Sequence, residues 1–133
     1  MQRTIPPLPL PLPLAIARQE GWYLNVEPPA RCQRNHNPGN IRFGEFATVH
    51  GATGEDDSGF AIFPDDETGM SCLVALMRTP FYASKTLQAG INAYAPPVEN
   101  QTNIYLQNVC EWTYSSQFKL IGDLMNAGPL QTT

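Results

Sequence analysis

Charge is scarce in this chain. Asp, Glu, Lys and Arg make up 15% of its 133 residues, against a usual share of roughly 25%. The formal net charge is −4 and no basic cluster occurs, so no nucleic acid partner is expected. No apolar run approaches the roughly 20 residues that span a bilayer, and membrane insertion is not expected. Cysteine is sparse too. Cys32, Cys72 and Cys110 are widely spaced with no C-x-x-C pair, which argues against a zinc knuckle or a dense disulfide framework and for buried free thiols. His36 and His50 show no metal-ligand spacing, so each is read as a turn or solvated residue. There is no G-x-S-x-G and no phosphate loop. No metal or organic cofactor is implied. The length and the 42% apolar content fit one domain with a modest core, expected as a monomer.

Proline is concentrated at one end. Residues 1–13 alternate Pro and Leu from Pro7, which favours an extended, polyproline-like arm. Its leucines are expected to pack along the domain surface, the competing reading being a proline-rich ligand for a partner. The stretch imitates a signal peptide, ending in Ala15-Ile16-Ala17 as a small-x-small site. Five prolines make a poor signal helix, and cleavage after Ala17 would cut the next element, so no signal is expected. Residues 14–133 are read as a single domain.

That next element is a helix predicted from about Leu14 to Leu24. On it Ile16, Glu20 and Leu24 stack at i, i+4, i+8, with Ala17 and Tyr23 beside them. One carboxylate therefore sits in an apolar stripe. Burying an unpaired carboxylate is costly, and a carboxylic acid that keeps its proton is what a glycosidase needs to protonate its leaving group. The competing reading puts Glu20 at the stripe's edge, reaching water near the helix end. Gly21 lowers helix propensity by roughly 1 kcal/mol.

Residues 30–64 change character. Pro38-Gly39 and Gly51-Ala52-Thr53-Gly54 are turn signals, and Ile41–Phe43 and Phe60–Phe63 are rich in β-formers. They predict a small antiparallel sheet with a mobile polar loop holding Glu55, Asp56 and Asp57. Asp65 or Asp66 then caps a helix in which Met70, Leu73, Val74 and Met77 recur at i, i+3, i+4, i+7. Further helices are predicted from the Thr86 cap to Ala93, from Gln101 to Tyr114 with Asn100 as cap, and from Gln117 to Asn126. The last has Ser116 as cap, carries Phe118, Ile121, Leu124 and Met125 inward, and ends near Gly128. The fold class is thus mainly α with a small antiparallel β-hairpin or sheet, α+β.

Three constellations accompany Glu20. Arg34-Asn35-His36-Asn37-Pro38-Gly39-Asn40 is dense in amides, which suit sugar hydroxyls and N-acetyl groups, although Asn also favours turns. Tyr94 stands at a helix end before Pro96-Pro97 and Glu99-Asn100. Its phenol is placed either to bond a reacting sugar or to sit amphipathically at a core boundary. Glu45, Glu55, Asp56 and Asp57 are candidates for the second carboxylate that an inverting glycosidase needs about 6.5–9.5 Å from its acid.

Together these residues resemble the lysozyme-like superfamily of peptidoglycan-cleaving enzymes. AIARQEGW is similar to the helix-borne glutamate motif of lytic transglycosylases, goose-type lysozymes and autolysin-type glucosaminidases, and NPGNIR to a turn and strand of the glucosaminidase branch. GFAIFPDDETGMSCLVALM resembles that branch's strand-then-helix segment, and INAYAPP its Y-A-T-D segment. The combination also looks like small lysozyme-like proteins of phages. The resemblance implies a lysozyme-like fold and cleavage of a β-1,4 bond in peptidoglycan glycan strands. It implies Glu20 as general acid and Tyr94 at the catalytic centre. Trp22, Asn37, Asn40 and Asn100 would shape the substrate groove. Gly21 stands where transglycosylases usually carry Ser, which favours hydrolysis over the 1,6-anhydro outcome. A non-catalytic glycan-binding or virion structural protein on the same fold is the rival from another class. The expected setting is a phage endolysin, cytoplasmic until released, or a virion-associated enzyme acting on the cell wall.

Overall fold

Local chemistry accounts for several helix ends in the computed structural model, which describes residues 3–98 and 100–126. Helices dominate. In chain order they are α1 (Leu12–Glu20), α2 (Arg31–Arg34), α3 (Glu45–Val49), α4 (Asp66–Arg78), α5 (Pro80–Ala83), α6 (Leu87–Tyr94), α7 (Thr102–Thr113) and α8 (Ile121–Met125). Between α3 and α4, strands β1 (Gly54–Glu55) and β2 (Ala61–Ile62) pair antiparallel, Gly54 opposite Ile62 and Glu55 opposite Ala61. The mainly α chain with one small antiparallel sheet is as expected. No described helix is long and apolar enough to cross a membrane.

By backbone proximity the described residues form two compact units. One holds residues 3–5 and 16–75, the other residues 6–15 and 76–126. In the first, α1 stops earlier than the periodicity predicts. Gly21 takes φ +107°, the Trp22 N–H bonds the Ala17 carbonyl at 3.0 Å, and the Gly21 N–H bonds Arg18 at 3.2 Å. That is a Schellman stop, and its usual apolar contact is present as Trp22 packs with Ala17 and Cys32. Leu24, which extended the stripe on paper, is 55% exposed.

The predicted strand at Ile41–Phe43 is reduced to an isolated bridge between Arg42 and Phe60. Left-handed Asn40 precedes it and α3 begins two residues after it, so it has no room to lengthen. The polar loop is a tight hairpin turn, held by Asp56 as described below. In α4 the Asp65 carboxylate accepts from the Thr68 N–H at 2.8 Å, which makes Asp65 the cap. Leu73 and Met77 are buried and Met70 and Val74 half-buried, so the stripe is core. Gly69 presses on a backbone carbonyl: a Cβ there would collide with the His36 oxygen.

In the second unit the proline-rich segment is shorter than predicted, because Leu12 and Pro13 already belong to α1. The Leu10 N–H bonds the Trp112 carbonyl at 2.7 Å, and Leu10 and Leu12 are buried, whereas Leu8 stays exposed. Thr86 caps α6, accepting from the Ala89 N–H at 3.2 Å. Asn100 does not cap α7. Its amide donates back to the Pro96 carbonyl at 3.3 Å, and Gln101 holds the cap position without a side-chain bond.

The last helix also starts later than predicted. Ser116 accepts from the Phe118 N–H and closes a turn instead. Residues 117–120 are diverted because the Gln117 and Lys119 carbonyls accept from the first N–H groups of α6, donors that any helix start leaves open. Phe118 is therefore 68% exposed, while Ile121 and Met125 are buried. Gly128 and Glu99 lie outside the described residues.

Candidate active site

Glu20 is the last residue of α1, half-buried, and its position follows from how the helix is stopped. Gln33 of α2 fastens the chain just beyond. Its side-chain NH2 donates to the carbonyls of Trp22 at 3.1 Å and Leu24 at 2.7 Å, while its oxygen accepts from the Ala30 N–H at 2.9 Å. The Cys32 thiol donates to the Glu20 carbonyl at 3.5 Å. Burial, and then the neighbouring Glu20 carboxylate, push that thiol up to about 11.

The carboxylate meets the amide-rich turn. Asn40 Nδ2 donates to Glu20 Oε1 at 2.9 Å. Asn40 holds φ 48°, a left-handed conformation that Asn tolerates better than most residues. Its other polar atom, Oδ1, is buried and has no hydrogen-bond partner. Buried acceptors of that kind are uncommon and ask for an explanation. The result is a carboxylate steered by an amide whose acceptor end is unsatisfied.

Asn37 does the opposite. It is wholly buried, donating to the Ile41 and Ala61 carbonyls and accepting from the Ile41 N–H, all at 2.9 Å. Its expected place in a substrate groove is corrected: it ties the turn to β2 and has no atom left for a ligand. Asn35, also buried, donates to Asp56 Oδ2 at 2.9 Å. Asp56 Oδ1 accepts from the Ser58 and Phe60 N–H groups. The Phe60 N–H, then the Asn35 amide, hold Asp56 below the usual aspartate range. A carboxylate committed to three hydrogen-bond donors, with Arg31 3.7 Å away, is a hairpin clasp rather than a water-activating base. Of the other second-carboxylate candidates, Glu45 opens α3, Glu55 lies on β1 and Asp57 follows it in the turn, all exposed.

Trp22, expected to shape the substrate groove, is instead a packed side chain. It is 5% exposed, and the Arg3 guanidinium lies 3.8 Å from its ring centroid. Arg3 also donates to Asp66 Oδ2 at 2.8 Å, and His36 Nδ1 stands 2.7 Å from Asp66 Oδ1. An ionised carboxylate only accepts, so the ring nitrogen is the donor. Burial alone would raise Asp66, but the His36 and Arg3 bonds outweigh it and hold it below the usual range.

No family model, curated protein or solved structure matches this chain.

Of the sequence-predicted residues, the structure joins Glu20 to Asn40. Tyr94 belongs to the other unit, at the end of α6, its ring edge-on to Tyr82 with centroids 5.9 Å apart. Asn100 is exposed in the same unit. The residues that sequence reasoning missed are Arg3 and Asp66, whose pairing spans 63 positions and left no local signal. His36 has the turn role expected of it, with φ 51°.

Proposed function

We propose that this chain is a glycoside hydrolase acting on the glycan strands of bacterial peptidoglycan, with Glu20 as general acid. The observation that carries the reading is the Glu20–Asn40 pair with its unsatisfied amide oxygen. A donor on Oε1 makes that atom the carbonyl-type oxygen of the acid, so the transferable proton belongs on Oε2. Proton transfer from Oε2 to the glycosidic oxygen lets the C–O bond break. Water then adds to the oxocarbenium-like carbon and gives its proton to the Glu20 carboxylate, which restores the acid and leaves a reducing end. Asn40 Nδ2 fixes the orientation of the carboxyl group through Oε1. The Schellman stop and the Gln33 fastening support the geometry that such an acid needs.

The test is clearing of a purified cell-wall suspension by the native chain and by Glu20→Gln. Clearing by the native protein and not by the variant is expected, with reducing-end fragments by mass spectrometry. Equal clearing by both overturns the role of Glu20. Fragments with 1,6-anhydro ends make the chain a lytic transglycosylase. No clearing by either, beside an active control enzyme, leaves a glycan-binding or virion structural protein. Tyr94→Phe tests the tyrosine assignment separately.

A further inference from the structure

We propose that the groove between α6 and α7 is a binding site for an uncharged sugar chain bearing acetamido groups. The groove has a volume of about 760 Å³, within the range of roughly 300–1,000 Å³ typical of ligand sites. Among the described residues eleven line it, seven of them Asn or Gln and none Asp, Glu, Lys, Arg or His. Gln88 and Asn92 lie one helical turn apart on α6, and Asn103 and Gln107 one turn apart on α7. The side chains of Gln88, Asn103, Gln107 and Gln117 make no hydrogen bond among the described residues. Leu106, Pro97 and Cys110 supply apolar surface between them.

The lining selects the ligand by chemistry. A charged group finds no counter-ion among the described lining residues, whereas a neutral polar ligand finds donors and acceptors, so the lining favours a neutral ligand. A carboxamide presents a donor and an acceptor side by side and pairs in two bonds with an acetamido group. The acetamido methyl then fits the small apolar surface. Hydroxyls use the remaining donors and acceptors. The amides repeat at one helical turn, ~5.4 Å, close to the repeat of a β-1,4-linked pyranose chain. An extended peptide is less well matched, because strand addition needs an exposed backbone edge, and most of the described lining sits on helices α6 and α7. The site lies wholly in the second unit and does not rest on the role of Glu20.

Tetra-N-acetylchitotetraose is the probe, with cellotetraose and a blocked tetra-alanine peptide as comparators. All are titrated into the full chain carrying Glu20→Gln, so that no probe is cut. The readout is protection of Cys110 from maleimide. Cys110 lines the groove and is half-buried, whereas Cys32 and Cys72 are fully buried, so it labels first. The N-acetylated probe should slow labelling saturably, and cellotetraose should bind about tenfold more weakly for the lost amide pairing. The Gln88→Ala/Gln107→Ala protein should lose about tenfold or more in affinity at an unchanged melting temperature. Gln107→Glu, which places a charge in the groove at equal size, should weaken binding similarly. Absence of protection by the N-acetylated probe overturns the proposal, as do unchanged affinity in both variants and tighter binding of the peptide. Wall clearing is scored separately, so failure of Glu20 catalysis and failure of this groove are distinguishable.

Discussion

Asn37 and Asn40 share one turn and spend their amides differently. The first satisfies three backbone groups inside the protein, the second steers a carboxylate and leaves its own acceptor buried and unpaired. Substitution should separate them. Asn37→Ala strands buried backbone donors and acceptors and should cost about 3 kcal/mol or more in a urea melt. Asn40→Gly suits the left-handed backbone and should change stability by less than about 1 kcal/mol. The same change should cut wall clearing roughly 10- to 100-fold, the worth of a hydrogen bond to a charged group. Wild-type clearing by a folded Asn40→Gly protein would remove that residue from the site. Nothing in the string NPGNIR distinguishes the two asparagines. Burial decides it, and burial depends on Ala61 and Glu20, 24 and 20 positions away. The glutamate stood out as an anomaly of pattern, an acid between Ile16 and Leu24, but the helix ends at it, half-buried, and Leu24 is exposed.

At the scale of elements, α4 and α6 were readable because their signals are local: an Asp or Thr cap followed by apolar residues at helical spacing. The elements α2, α3 and α5 span only four or five residues, too short for a periodicity to register. The end of α1 and the start of α8 were misplaced for a different reason. A positive-φ glycine ends the first, and hydrogen bonds to α6 delay the second. Gly69 gives an element-level test. In a helix interior Gly→Ala should gain about 1 kcal/mol of propensity. At Gly69 the new methyl meets the His36 carbonyl, and backbone yields poorly, so overpacking of about 1–3 kcal/mol or more should win. Gly69→Ala should therefore lower the urea midpoint, while Gly44→Ala, with nothing within 4 Å, should leave it nearly unchanged. Equal midpoints for the two variants would refute the close approach of α4 to the turn.

Across the whole molecule, acid should act through the carboxylate that joins residues far apart in sequence. Asp66 binds Arg3 and His36 and titrates below the usual aspartate range. A group depressed in the folded state stabilises fully above its unfolded value, near 3.9. That contribution is lost as pH falls through the lower folded value. The melting temperature of the native chain should therefore drop steeply below about pH 4, and Asp66→Asn should start lower at pH 7 and fall less over the same interval. Parallel acid limbs in the two proteins would mean that Asp66 contributes nothing to the pH dependence.

The second compact unit draws on residues 6–15 and then on nothing until residue 76. During synthesis the ribosome releases the early segment some sixty residues ahead of the helices it will join, including α7, where the Trp112 carbonyl awaits the Leu10 N–H. A nascent stretch left alone for that interval is exposed to wrong partners. Pro6, Pro7, Pro9 and Pro11 lack the N–H that strand addition requires and resist coiling into a premature helix. The proline-rich composition thus disfavours both strand pairing and helix formation in a segment made well before its neighbours.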